Sequence, residues 1–201
     1  MSHNGTTLEN LNNLTDLESF ANNNFSRELA DLEVVINHFK TQKEVDSNHI
    51  ILIGHSRGGG VSVIKASENK NITKLITLAS ISTLDRFPKN EAFENWKKDG
   101  VYYIEHARTK QQLPHYFQFF EDYENNKERF DVEKACRNLT IPSLFIHGSA
   151  DEAVESKHSE NLHHWTKDSQ FKIIENANHT FGAKEPWEET SLPKELNTAL
   201  E

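Results

Sequence analysis

The chain has 201 residues, a formal net charge of −9 and a single cysteine. That length suits one domain with a sizeable core, and the acidic balance argues against nucleic acid or an anionic membrane as partner, because affinity for phosphate rests on Lys and Arg. Cys136 cannot close an internal disulfide, no apolar run reaches membrane-spanning length and no signal peptide is visible, so a reducing cytoplasm is the expected compartment.

Residues 1–24 are polar and Asn-rich. Leu29, Leu32, Ile36 and Phe39 then recur at helical spacing behind Asn24 or Ser26 as cap, which predicts a helix covering a sheet. Ile50 to Ile53 reads as a strand that runs into Gly54-His55-Ser56-Arg57-Gly58-Gly59-Gly60, and Val61, Val63, Ile64 and Ala66 continue as a buried helix. Leu75 to Ala79 is the next strand. Residues 82–140 form a charged, aromatic-rich insertion, longer than an ordinary βαβ connection, and read as a helical cap. It gathers Phe87, Phe93, Trp96, Tyr102, Tyr103, Tyr116, Phe117, Phe119, Phe120, Tyr123 and Phe130. Singly these rings suit packing of the cap; as a group they suit an apolar acyl or aryl pocket. Arg86, Arg108 and His106 are available to an anionic substrate group, or simply solvated.

Further apolar runs follow at Ile141 to Ile146 and Phe171 to Ile174. Each opens into a polar loop, His147-Gly148-Ser149-Ala150-Asp151 after the first and Glu175-Asn176-Ala177-Asn178-His179 after the second. A last helix opens at Ser191 to Leu196 and stops at Glu201. Unalternating apolar runs fit parallel strands buried on both faces, and strands separated by helical segments predict a parallel α/β sheet.

The Gly-x-Ser-x-Gly pentapeptide between a strand and a helix has the form of a nucleophile elbow. A tight turn strains the serine backbone and pushes its hydroxyl out, and glycine at Gly54 and Gly58 is expected to leave room for the neighbouring elements. A serine nucleophile needs a base, and the base an orienting carboxylate. Ser56, Asp151 and His179 supply them in α/β-hydrolase chain order, each past the carboxyl end of its own strand. Glu152 and Glu155 are rival carboxylates, but position within His-Gly-x-x-Asp favours Asp151. His55 is expected to pack or hydrogen-bond beneath the turn, with His3 also a candidate for touching the site. His163-His164 lacks further ligands at metal spacing, and Gly58-Gly59-Gly60 lacks the Lys-Ser/Thr of a phosphate loop, so neither metal nor nucleotide is expected. The sequons at Asn24 and Asn178 read as products of an Asn-rich composition.

These motifs resemble the α/β-hydrolase superfamily, closest to its bacterial dienelactone-hydrolase-like, cinnamoyl-esterase-like and serine-aminopeptidase-like group. Gly-His-Ser-Arg-Gly-Gly, His-Gly-x-x-Asp at 147–151 and Asn-His-x-Phe at 178–181 carry the likeness over residues 50–182. The resemblance implies that Ser56 is acylated, His179 shuttles the proton and Asp151 holds the imidazolium, with no cofactor and a small-molecule ester as substrate. It also implies an oxyanion hole from the Arg57 N–H and a second donor in a loop that has no counterpart here. Met1-Ser2-His3-Asn4-Gly5 resembles the family's loop after its fourth strand, so the expected fold is a parallel-sheet α/β-hydrolase with a cap insertion, N-terminally truncated, in one domain over 1–201. An apolar edge at Ile50 to Ile53 follows from that. Two alternatives stand beside the esterase: an aminopeptidase or amidase of the same fold, and a truncated or pseudo-hydrolase without efficient catalysis.

Overall fold

The computed structural model describes residues 13–106, 109–184 and 186–201. In chain order the elements begin with helices α1 (Leu17–Ala21) and α2 (Phe25–Lys40), strand β1 (Ile50–His55), α3 (Arg57–Glu68) and β2 (Ile72–Leu78). Next come α4 (Glu91–Asp99), β3 (Val101–Glu105), β4 (Gln112–Tyr116), α5 (Gln118–Asn125) and α6 (Val132–Asn138). The chain closes with β5 (Ser143–Gly148), α7 (Lys157–Trp165), β6 (Ser169–Ile174) and α8 (Lys194–Leu200). Two compact units result: the described residues up to Phe39 with Asp85–Phe130, and Lys40–Leu84 with Asp131–Glu201.

The second unit is built on a four-stranded parallel sheet in the order β1-β2-β5-β6. Leu75 pairs with Leu52 and Ser143, and Thr77 with Gly54 and Phe145. Successive side chains leave opposite faces of a strand, so Phe145 and Ile146 serve two different layers. On one side α3 packs on β1 and β2, α7 packs on β5 and β6, and α6 packs on both helices. On the other, Ile146 and Ile174 join Ala79, Ala177, Phe181 and Ala199 of α8 in a buried cluster. Burial on both faces explains why the central strands β2 and β5 read as apolar runs at Leu75 to Ala79 and Ile141 to Ile146. β1 is the sheet's edge among the described residues, with Ile51 and Ile53 48% and 59% exposed.

The first unit is organised by rings and caps. Asp16 caps α1 by accepting the Ser19 N–H at 2.9 Å, an element hidden in the polar stretch. Asn24 caps α2 by accepting the Arg27 N–H at 2.9 Å, satisfying one of the first-turn donors. Phe25 then lies 4.8 Å from Phe119 and 5.6 Å from Phe130, and the Ser26 N–H donates to Asp122 at 2.9 Å. α2 up to Phe39 groups with the insertion, where its N-terminal Phe25 finds aromatic partners.

Nor is the insertion purely helical. α4 ends at Gly100, in the left-handed conformation that suits glycine, and the chain turns straight into β3. β3 and β4 pair antiparallel from Val101 opposite Tyr116 to Glu105 opposite Gln112. His106 closes their turn, its Nδ1 2.8 Å from the Thr109 hydroxyl. Trp96 is buried, donates from Nε1 to the His115 carbonyl at 2.8 Å and meets Phe117 edge-on. α6, the last helix of the segment 82–140, belongs to the sheet unit.

Candidate active site

The candidate site lies wholly within the sheet unit. Ser56 has φ 54° and ψ −124°, a strained conformation for a side chain with a Cβ, costing about 1–3 kcal/mol. Its N–H donates to the Leu78 carbonyl of the neighbouring strand at 2.9 Å, and its carbonyl accepts from Gly59 at 3.0 Å. The turn is thus pinned to β2 on one side and to α3 on the other. A Cβ on Gly54 would stand 2.5 Å from Ser62 Oγ and 2.6 Å from the Gly58 carbonyl oxygen, so only glycine fits. Gly58 is different from the sequence expectation: a Cβ there would meet nothing within 4 Å. The crowded glycine is Gly59, where a Cβ would overlap the Ser80 side chain, because α3 crosses the end of β2 at that point. Arg57 is the first residue of α3, where helix geometry leaves N–H groups without an intrahelical acceptor and the dipole favours negative charge.

Asp151 follows β5 in a loop that wraps its carboxylate. One oxygen accepts the N–H groups of Ala153 and Val154, each at 2.9 Å, and the other lies 2.8 Å from His179 Nδ1. Its side chain is 1% exposed. Burial pushes the carboxyl upward, but the Val154 N–H, His179 and the Ala153 N–H together hold it below the ordinary carboxylate value. The fully buried His147 braces the loop from behind: Nε2 lies 2.8 Å from the Val154 carbonyl and Nδ1 2.7 Å from Ser159 Oγ. The same Nε2 is 3.2 Å from Asp151 Oδ2.

His179 follows β6. Its ring bridges the two other residues, with Nδ1 on Asp151 and Nε2 3.0 Å from Ser56 Oγ. A carboxylate can only accept, so Nδ1 carries the proton and Nε2 is left to accept from the serine hydroxyl. The motif around it has a local logic. Asn178 Oδ1 accepts the Thr180 N–H at 3.1 Å and the Gly182 N–H at 2.9 Å, folding the turn, while Phe181 anchors it, 2% exposed in the core. The acid and base loops are tied together: the Ala150 N–H donates to the Ala177 carbonyl at 3.0 Å, and a Cβ on Gly148 would overlap that carbonyl.

Ser56, Asp151 and His179 are therefore brought together. Glu152 and Glu155 are exposed, and it is Asp151 that meets His179. His55 reaches across to the His179 loop, Nε2 2.8 Å from the His179 carbonyl oxygen. His163 is engaged with Ser169 Oγ at 2.7 Å and stacks on Phe171. His106 closes the β3–β4 turn and Arg86 is exposed in the first unit, whereas Arg108, His3 and the Met1-to-Gly5 loop lie outside the described residues. The roles of His147, Gly59 and Asn178 escaped the sequence reading; for Asn178 the signal was present in Asn-His-x-Phe.

The profile of the prolyl oligopeptidase family matches residues 17–192. The chain belongs to that family. No match was found among curated protein sequences. Among solved structures, the esterase domain of a Rhodothermus marinus protein is 19% identical with a TM-score of 0.54, over 80% of this chain and 62% of that one. Est1E from Butyrivibrio proteoclasticus with ferulic acid bound is 20% identical with a TM-score of 0.63, over 80% and 63%. A monoacylglycerol lipase from Paleococcus ferrophilus is 15% identical with a TM-score of 0.62, over 89% and 74%. At such identities the likeness is one of fold, and the fold of this prolyl oligopeptidase family member is that of the α/β-hydrolases. The chain spans about 62% of the length of the first of these structures. Among the described residues no helix is long and apolar enough to cross a membrane.

Proposed function

We propose that the chain carries a serine hydrolase centre that cleaves a carboxylic ester through an acyl-enzyme. The observation that carries this reading is the continuous relay from Ser56 Oγ to His179 Nε2 and from His179 Nδ1 to Asp151 Oδ2, at 3.0 and 2.8 Å. His179 takes the Ser56 proton as Oγ attacks the ester carbonyl, and Asp151 stabilises the imidazolium. The Arg57 N–H, at the start of α3, faces the developing oxyanion. His179 then returns the proton to the departing alkoxide, and water, activated by the same imidazole, releases the acid and restores Ser56. This chemistry calls on no metal or organic cofactor. The expected substrate is a small ester with an apolar or aryl acyl group, in keeping with the esterase domain, the ferulic-acid-bound Est1E and the monoacylglycerol lipase among the structural neighbours. With net charge −9 and a lone buried Cys136, whose thiol burial pushes up to about 12, a reducing cytoplasm without nucleic-acid or membrane partners fits best.

A second reading, cleavage of a peptide or amide bond, is favoured by the family match itself. Intact mass after exposure to a fluorophosphonate tests the centre: one adduct is expected, absent from Ser56→Ala. An unlabelled, folded wild-type chain would refute the serine centre and leave the pseudo-hydrolase reading. Turnover of p-nitrophenyl acetate against an amino-acid p-nitroanilide then separates ester from amide.

A further inference from the structure

Two consecutive residues of the elbow hold the two ends of one histidine. Ser56 Oγ meets His179 Nε2 at the tip of the ring, and the preceding residue, His55, reaches the His179 backbone carbonyl with its own Nε2 at 2.8 Å. A carbonyl can only accept, so His55 Nε2–H is the donor. The two rings lie 4.7 Å apart with their planes inclined at 49°, a tilted rather than stacked arrangement. Residues 55 and 179 are 124 positions apart, and the bond joins the last residue of β1 to the loop after β6 at the opposite edge of the sheet.

That placement matters because the two loops have separate supports. The Ser56 turn is pinned to β2 through the Leu78 carbonyl, while the His179 turn is pinned by Asn178 and Phe181 and by the Ala177 contact to the β5 loop. The relay through Asp151 fixes the far side of the imidazole but leaves the approach of Nε2 to Oγ dependent on where the backbone of residue 179 stands. The His55 bond fixes that backbone directly against the nucleophile's own turn. We infer that His55 is a positioning residue that sets the distance between Ser56 and His179 by clamping the His179 carbonyl.

This inference rests on the reading of Ser56 and His179 as nucleophile and base. Its test compares fluorophosphonate labelling rates and p-nitrophenyl acetate kinetics for the full chain, His55→Gln and His55→Phe. Glutamine places an amide N–H donor at nearly the same reach; phenylalanine keeps an aromatic ring against His179 and removes the donor. His55→Phe is expected to slow labelling and kcat by roughly ten- to a hundredfold with KM little changed, as misplacement of a reacting group by a fraction of an ångström to 1 Å does. His55→Gln is expected to recover most of that loss. A His55→Phe variant that labels at the wild-type rate would overturn the inference while leaving the triad reading intact. So would a His55→Gln variant as slow as His55→Phe, since the ring and not the hydrogen bond would then matter. Absence of labelling in the wild type strikes at the triad reading itself, and with it at the role of His55. Thermal melting of each variant shows that the folds compared are the same.

Discussion

The two units reach order by different means. In the sheet unit, parallel backbone ladders fix four strands in register, and the loops beyond their carboxyl ends are then held by short-range bonds from Asn178, Ser149 and the amides of Ala153 and Val154. In the first unit a two-stranded hairpin is the only sheet among the described residues, and much of the organisation comes from rings meeting edge to face around Phe87, Phe93, Trp96, Phe117 and Phe120. A ladder places side chains at repeatable positions, as a three-residue relay requires. A ring cluster fills volume and tolerates more arrangements. The difference teaches that the candidate relay of Ser56, His179 and Asp151 belongs to the unit held by backbone register, whereas the aromatic residues that stand out in the sequence gather in the other unit.

Four substitutions and one titration break or sharpen that contrast. The largest effect is expected from Asp151→Asn, which keeps the shape of the loop but presents an amide where His179 Nδ1–H needs an acceptor. Turnover of an activated ester should fall by about 10⁴-fold. A loss of only a few fold would remove Asp151 from the relay. Next, Trp96→Ala empties the ring cluster and removes the Nε1–H donor to the His115 carbonyl, for a destabilisation of about 3–5 kcal/mol. Amide hydrogen exchange should show protection lost across residues 85–130; unchanged protection there would mean that the rings do not organise the unit.

Within the elbow, Gly59→Ala and Gly58→Ala form a pair. The first forces a Cβ onto Ser80 and should cost about 1–3 kcal/mol in urea unfolding. The second meets open space in the first turn of α3 and should be neutral or stabilising by up to about 1 kcal/mol. Equal costs would contradict the close approach seen at Gly59.

The smallest effect is on pH dependence of stability. The Asp151 carboxyl lies below its ordinary value in the fold, so its contribution is fully present above that ordinary value and drains away as pH falls through the lowered folded one. Urea midpoints of the wild type should therefore fall more steeply below the ordinary carboxylate range than those of Asp151→Asn. Parallel curves would show that the carboxylate adds nothing to stability.

Much of the sheet unit was legible because its signals are local. Ile50 to Ile53, Leu75 to Ala79, Ile141 to Ile146 and Phe171 to Ile174 are apolar runs of strand length, and all four became strands within a few residues, Ile50 to Ile53 at the exposed edge. The hairpin escaped because Val101–Glu105 and Gln112–Tyr116 are short, sit among charges and include Pro114, which fits only where a ladder bond is not required. α1 escaped because five residues in an Asn-rich stretch show no period, whereas α2 was legible from its amphipathic pattern, which tells that a face is buried but not against what.

By itself, the sequence determined the parallel α/β class and the three motifs that contain Ser56, Asp151 and His179, because elbows, strand ends and turn residues are written in neighbouring positions. Only the tertiary structure decided that Gly59 rather than Gly58 is crowded, and that His55 reaches the His179 carbonyl. Each of these is a distance between segments far apart in the chain, set by register and packing across the sheet, and no local pattern encodes it.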